Sequence, residues 1–203
     1  MTLTWANQIT ILRVLLITPF VICMLKINQT PSGHIMRYTS LAIFLFMCAS
    51  DALDGYMARV KKQTTKFGAF LDPIADKLLI TCACIMLAST TTAVPGFALP
   101  SAVVVMIIGK DLILLLGFIL IFLITAKLYF KPIYAGKIAT FLQLSMVAAI
   151  LIAPEADTLF PVWTHLTRML WWATAATAVF TTLVYIRNGI RYIEQLENGD
   201  KNS

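Results

Sequence analysis

Residues 41–59 read LAIFLFMCASDALDGYMAR, an apolar run that acquires Asp51 and Asp54 before it ends at Arg59. Eight residues later the pattern resumes as GAFLDPIAD, from Gly68 through Asp72 to Asp76, and then enters another apolar run. A carboxylate inside hydrocarbon is costly unless something positive binds it. Four of them at spacings of three or four residues call for a shared positive partner, and a pair of divalent cations is the simplest one. On a helix advancing roughly 100° per residue, Asp51, Asp54, Gly55, Ala58 and Arg59 share a face roughly 140° wide. Gly68, Asp72 and Asp76 form a tighter stripe. Two such faces, joined by a short connection, can turn toward each other and enclose one cavity.

The rest of the chain agrees with a membrane setting. Its 203 residues are 59% hydrophobic and 13% charged, with mean hydropathy +0.83, well beyond what a water-soluble domain of this length needs. Apolar windows of about 20 residues, the length that crosses a bilayer as a helix, fall near 8–27, 37–58, 69–90, 101–125, 133–153 and 163–186. The expected fold is therefore all-α and polytopic: one membrane domain over residues 1–203, with six transmembrane helices and the aspartates on the second and third. Pro95, Gly96 and Pro100 mark the turn between the third and fourth spans. Asn7, Thr10 and Arg13 interrupt the first window, and no small-residue cleavage site follows it, so it reads as mature structure.

Lys and Arg set the expected orientation, because positive loops stay cytoplasmic. Arg59, Lys61, Lys62 and Lys66 follow the second span, Lys127, Lys131 and Lys137 lie around the fourth connection, and Arg187, Arg191 and Lys201 follow the sixth span. Residues 91–100 carry no charge, and 154–161 carry only Glu155 and Asp157. Both termini and the aspartates are thus expected on the cytoplasmic side, with Lys26, Arg37 and Arg168 as exceptions. The net charge of +6 suits anionic lipid headgroups. Nucleic acid is not an expected partner, since no exposed domain exists to carry a basic patch. Cys23, Cys48, Cys82 and Cys84 all lie in apolar spans and read as packing residues. Trp163, Trp171 and Trp172, with Tyr185 and Tyr192, suit interfacial anchoring and ordinary packing about equally. His34 and His165 lie far along the chain from the carboxylates, in or near the outer connections.

Oxygen-only ligation favours Mg²⁺ or Mn²⁺ over zinc. Arg59 beside such a site suits a diphosphate, which a guanidinium binds bidentately; its alternative role is a topology-setting charge. Gly55, Ala58 and Gly68 allow close approach to the backbone, either by a substrate or by a packed helix.

The run resembles the signature of the CDP-alcohol phosphotransferase family, D-x2-D-G-x2-A-R-x8-G-x3-D-x3-D, with every fixed position filled. The flank from Lys66 to Lys77 is similar to the branch that makes phosphatidylglycerophosphate or cardiolipin. The resemblance implies that Asp51, Asp54 and Asp72 hold two metals, that Asp76 is both ligand and general base, and that Arg59 binds the diphosphate of CDP-diacylglycerol. It further implies that Gly55, Ala58 and Gly68 line the cytidine pocket and that the protein is a homodimer; an inner bacterial or mitochondrial membrane fits, and the short chain without a transit-like leader favours the bacterial one.

The acceptor is expected to be a glycerol derivative. Members that make phosphatidylglycerophosphate commonly carry Arg-Glu in the fourth span, a second Arg two turns on, and Gly-Lys opening the fifth. Here those places look like Lys110-Asp111, Phe118 and Gly136-Lys137. Lys110 and Lys137 are the candidate acceptor-phosphate residues, and glycerol 3-phosphate is placed first because small single-domain members of the branch it resembles most often make phosphatidylglycerophosphate. Phe118, and the resemblance of Lys110-Asp111 and Lys131-Pro132 to cardiolipin synthases, keep phosphatidylglycerol as the alternative. Lys110 also has a plainer role, pairing with Asp111 or a site aspartate. From a different class, a small cation transporter or a membrane scaffold would use the same carboxylates, although they gather at one side of the chain's spans and do not line a route across.

Overall fold

The computed structural model describes backbone over residues 5–61, 66–125 and 134–200, and side chains at 11–52, 77–117, 119 and 134–191. Seven helices occupy those residues: α1 Trp5–Lys26, α2 Gly33–Lys61, α3 Lys66–Ala88, α4 Ser101–Thr125, α5 Tyr134–Leu151, α6 Ala153–Leu159 and α7 Trp163–Asp200. No strand occurs among the described residues. Each apolar window coincides with one of the long helices. Gly33–Ala52, Tyr134–Leu151 and Trp163–Arg191 are, among the described residues, long and apolar enough to cross a bilayer.

Neighbouring helices alternate in direction. Arg13 meets Asp51 and Phe20 stacks near Phe44, with ring centroids 6.1 Å apart, so α1 and α2 run antiparallel. Lys77 meets Asp111, and the Leu99 amide donates to the Leu87 carbonyl, which sets α3 against α4. Trp163 Nε1 donates to the Ala149 carbonyl, and Thr181 Oγ1 donates to that of Ala135, which sets α5 against α7. Between these helices lies a continuous apolar core. It includes Phe20 and Met24 of α1, Phe44 and Met47 of α2, Ala83 and Cys84 of α3, Ile107 of α4, Met146 and Ile150 of α5, and Ala175 of α7. All four cysteines are free, as their apolar settings imply.

The helix absent from the hydropathy windows is α6, a single short helix between the fifth and sixth long ones. Pro154 supplies an N-terminal residue that needs no amide partner, and Glu155 places an acid in the first turn, where the helix dipole favours it. Asp157 Oδ1 then accepts from both the amide and the hydroxyl of Thr164, which fixes the start of α7.

The α6 end of the bundle is cross-linked by polar side chains. Asn28 Nδ2 donates to the carbonyls of Thr91 and Ala93, joining the α1–α2 turn to the α3–α4 connection. In that turn Gly33 has no room for a side chain: a Cβ there would lie 1.9 Å from the Ile27 carbonyl oxygen. Gly96 takes φ +80°, the left-handed conformation that the turn before α4 requires. Arg37, an exception in the charge pattern, is buried. Its Nη1 donates to the Leu151 carbonyl and to Glu155 Oε2 at 2.9 and 2.7 Å, and its Nη2 pairs with Glu155 Oε1. The isolated cation is half of a fork-shaped ion pair, and α6 exists at the place that supplies the other half.

Candidate metal and phosphate site

The aspartates lie toward the end of the bundle opposite α6. Asp51 precedes the last residue of α2 by ten positions, and Asp76 follows the first residue of α3 by ten, so each backbone sits about 15 Å from its helix end at the helical rise of 1.5 Å per residue. α2 and α3 are consecutive, and the two motif halves flank the connection between them. The side chains of Asp54, Gly55, Ala58, Arg59, Gly68, Asp72 and Asp76 lie outside the described residues. Among the described residues no three His, Cys, Asp or Glu side chains gather as a metal cage.

Asp51 is the described member of the quartet. Its carboxylate is 44% exposed, while Arg13, 2% exposed, reaches it from α1 with Nη1 2.9 Å from Oδ1. A buried guanidinium holding one oxygen of a half-exposed carboxylate limits the side chain to a small range of rotamers. The pair uses Oδ1, and a hard cation of the Mg²⁺ or Mn²⁺ kind requires only one oxygen from each of several carboxylates. The donor set of this motif, carboxylates on two adjacent helices, fits such an ion. Arg13 was visible in the sequence only as an interruption of the first apolar window, and its partnership with Asp51 becomes apparent from the antiparallel register of α1 and α2.

A second charged group stands on α3 and α4. Asp111 Oδ1 lies 2.9 Å from Lys77 Nζ and 3.0 Å from Lys110 Nζ. The Lys110 side chain is 2% exposed and that of Asp111 is 8% exposed, whereas Lys77 is partly open at 36%. One carboxylate therefore serves two ammonium groups, and Asp111 Oδ2 has no hydrogen-bond partner. Lys77 follows Asp76 directly in the chain, so this group ties α3, next to its acidic motif, to α4. The sequence offered Asp111 as a companion for Lys110, and that pairing is present; the participation of Lys77 was not anticipated.

The structure does not bring Lys137 to Lys110 in any direct contact. Lys137 opens α5, is exposed, and sits 5.6 Å from the Tyr134 ring centroid. Gly136 beside it faces Tyr185 of α7, whose hydroxyl would be 3.1 Å from an added Cβ. Of the aromatic residues on α7, Trp171 is buried in the core and Trp163 is held by its hydrogen bond, while Trp172 is 56% exposed. His34 and His165 are exposed in the region of the α6 end, far along their helices from the carboxylates.

Residues 3–184 match the sequence model of a family described as CDP-alcohol phosphatidyltransferase. Three relatives, each described as a CDP-diacylglycerol--glycerol-3-phosphate 3-phosphatidyltransferase, illustrate the similarity. That of Pseudomonas fluorescens is 41% identical over 107 residues, covering 53% of this chain and 50% of the relative. That of Haemophilus influenzae is 45% identical over 80 residues, 39% of this chain and 40% of the relative. That of Bacillus subtilis strain 168 is 32% identical over 156 residues, covering 72% and 75%. The match thus spans half or less of the first two relatives' length and three quarters of the third's.

Proposed function

The chain belongs to the CDP-alcohol phosphatidyltransferase family, and from that membership we propose that it transfers the phosphatidyl group of CDP-diacylglycerol to glycerol 3-phosphate, yielding phosphatidylglycerophosphate and CMP. The observation that carries this reading is the complete acidic signature, split between the consecutive helices α2 and α3. The relatives' descriptions favour glycerol 3-phosphate as acceptor over the alternatives. Against a transporter or scaffold stands the family match over residues 3–184, to which the acids, the glycines and Arg59 belong together.

In the proposed chemistry, Asp51, Asp54, Asp72 and Asp76 hold two divalent cations, Mg²⁺ or Mn²⁺, which offset the charge of the diphosphate when bound. Arg13 keeps Asp51 in position. Arg59 grips the diphosphate, and Gly55, Ala58 and Gly68 let the cytidine approach the backbone. Asp76 accepts the proton of the acceptor hydroxyl. That oxygen forms a bond to the phosphorus carrying diacylglycerol, the bond from that phosphorus to the bridging oxygen breaks, and CMP departs with the electron pair. Lys110 and Lys137 are the proposed acceptor-phosphate residues. Lys110 is engaged by Asp111, so an acceptor phosphate has to share or displace that partner. This engagement, together with Phe118 in place of a second arginine, is what favours the second reading: a cardiolipin synthase that uses phosphatidylglycerol.

We place the protein as one domain with six membrane crossings, both termini and the site cytoplasmic. The helix ends opposite α6 carry Arg59, Lys61, Lys66, Lys137, Arg187 and Arg191, and Arg37 at the other end is neutralised by Glu155. The same reading makes it a homodimer of a bacterial inner membrane. The deciding experiment supplies purified protein in detergent with CDP-diacylglycerol, Mg²⁺ or Mn²⁺, and either glycerol 3-phosphate or phosphatidylglycerol, with CMP and lipid mass as readouts. Release of CMP with phosphatidylglycerophosphate is expected. Cardiolipin as the sole product would move the chain to the second reading, and no turnover with either acceptor would remove the enzyme assignment.

A further inference from the structure

Charge is out of balance where α3 meets α4. Asp111 Oδ1 lies 2.9 Å from Lys77 Nζ and 3.0 Å from Lys110 Nζ, so the two ammonium groups are no farther apart than those lengths combined. Oδ2 of the same carboxylate has no hydrogen-bond partner. Two cations against one anion leave a surplus positive charge on helices whose other buried residues, among them Ile80, Ala83, Val103 and Ile107, are apolar. An ion pair that only joins two helices needs one cation, and a second is costly at such a place. Arg37 and Glu155 show the balanced form, one to one with both carboxylate oxygens used. The buried Gln143 amide at the α5–α7 seam also lacks a partner, but it is uncharged and carries no such surplus.

The group is open on one side. Lys110 and Asp111 are buried while Lys77 is partly exposed, so an anion arriving from outside meets Lys77 first and Lys110 behind it. Contacts at the α6 end fix its level in the bundle. There Asn28 joins the turn after α1 to the connection after α3, through the carbonyls of Thr91 and Ala93. Down from that junction, Lys26 to Arg13 on α1 covers about 20 Å and Ala88 to Lys77 on α3 about 17 Å at the helical rise, and the two helices pack together. Asp51, which Arg13 holds, and the lysine group are therefore level to within about one helical turn. Lys77 is also separated from Asp76 of the acidic signature by a single residue step along α3, about 1.5 Å of rise.

We propose that Lys77 and Lys110 receive the phosphate of the acceptor, with Lys77 passing from Asp111 to that phosphate while Asp111 keeps Lys110 in place. The inference rests on the transferase reading and deepens it, because it gives Lys110 a second cation within reach, where Lys137 stands exposed at the start of α5. An ammonium group is a compact charge on a flexible stem with rotatable donors, suited to changing partners in this way. The arriving phosphate supplies the counter-charge that the group lacks, and it seats the acceptor beside Asp76. A free phosphate monoester and the phosphodiester of a lipid headgroup share this chemistry.

The test compares wild type, Lys77→Met and Lys77→Arg as purified protein in detergent with CDP-diacylglycerol and Mg²⁺, using glycerol 3-phosphate in one arm and phosphatidylglycerol in the other. Lys77→Met should raise KM for the acceptor that is turned over by about 10–100-fold, the range for losing a hydrogen bond to a charged group. Its KM for CDP-diacylglycerol and its melting temperature should stay close to wild type, because Lys110 and Asp111 remain as a one-to-one pair and a partly exposed bridge contributes little. Inorganic phosphate should compete with the acceptor in wild type, with an inhibition constant that rises by a similar factor in Lys77→Met. Lys77→Arg should recover most of the lost affinity. A rise confined to glycerol 3-phosphate supports a free monoester as the occupant, and one confined to phosphatidylglycerol supports the lipid phosphodiester. An unchanged acceptor KM in a folded Lys77→Met protein would overturn the inference alone, as would a lower melting temperature with donor and acceptor equally impaired, the result expected of a purely structural tie. A wild-type protein inert toward both acceptors would remove the transferase reading and this inference with it.

Discussion

The two ends of the bundle treat buried charge in opposite ways. At the α6 end Arg37 has a carbonyl and both oxygens of Glu155 as partners, and the joined elements α2, α5 and α6 are held by one guanidinium. Toward the other end a single oxygen of Asp111 serves Lys77 and Lys110, and its second oxygen bonds nothing. A satisfied network fixes structure. An incompletely satisfied one, in a setting where each unpaired group is expensive, marks the place where stability has been given up for a ligand. The contrast supports the proposed placement of the site at the end that carries the acids, on grounds other than the acids themselves.

The sharpest way to break that contrast is to remove the proposed base. Asp76→Asn should lower kcat by about 10²–10⁴-fold, the range for loss of a general base, while CDP-diacylglycerol binding falls far less because three carboxylates remain. Equilibrium binding of the donor alongside single-turnover CMP release separates the two effects. Normal turnover by this variant would detach Asp76 from the chemistry. At the opposite end, Arg37→Leu should leave kcat near wild type but lower stability by about 1–2 kcal/mol, because the Leu151 carbonyl loses its partner while Glu155, 41% exposed, can still be hydrated. The thermal midpoint of unfolding in detergent reads this directly. A catalytic defect larger than the stability defect would show that the ends are not independent.

Much of this arrangement was legible in the sequence, and the gaps have physical causes. Hydropathy located the six long helices because each carries a long apolar run, and the Pro95–Pro100 turn was plain from residues that cannot continue a helix. The acids stood out because carboxylates are rare in such segments. What remained hidden was pairing. Arg37 with Glu155 spans 118 positions, and Arg13 with Asp51 depends on the register of two helices, which no local pattern encodes. α6 was missed because seven residues with a proline and two acids resemble a polar loop. Gln143 attracted no attention for a related reason: a lone amide among apolar residues is usually satisfied, and only coordinates reveal that this one is not.

An effect of similar size belongs to the connection at the α6 end. Gly96 has open space around an added Cβ, so Gly96→Ala probes backbone conformation alone. At φ +80° the substitution should cost about 1–2 kcal/mol of stability with no change in kcat. A neutral result would mean that the turn relaxes freely and does not help to seat α4.

The smallest effect tests the clamp by pH. Hydrogen bonds from Arg37 hold the Glu155 carboxyl at about 2, well below its ordinary 4.5, against the opposing influence of burial. A carboxyl with a depressed folded pKa contributes stability that is complete above the unfolded value and fades as pH falls from about 4.5 toward 2. Glu155 is 41% exposed, so screening limits its worth to about 1 kcal/mol. Glu155→Gln should therefore melt slightly below wild type at pH 7, and the gap should shrink to about half by pH 3 and nearly close near pH 2. A gap that persists undiminished at pH 3 would assign the loss to packing of α6, and the charge of Glu155 would then have no part in distinguishing this end of the bundle from the other.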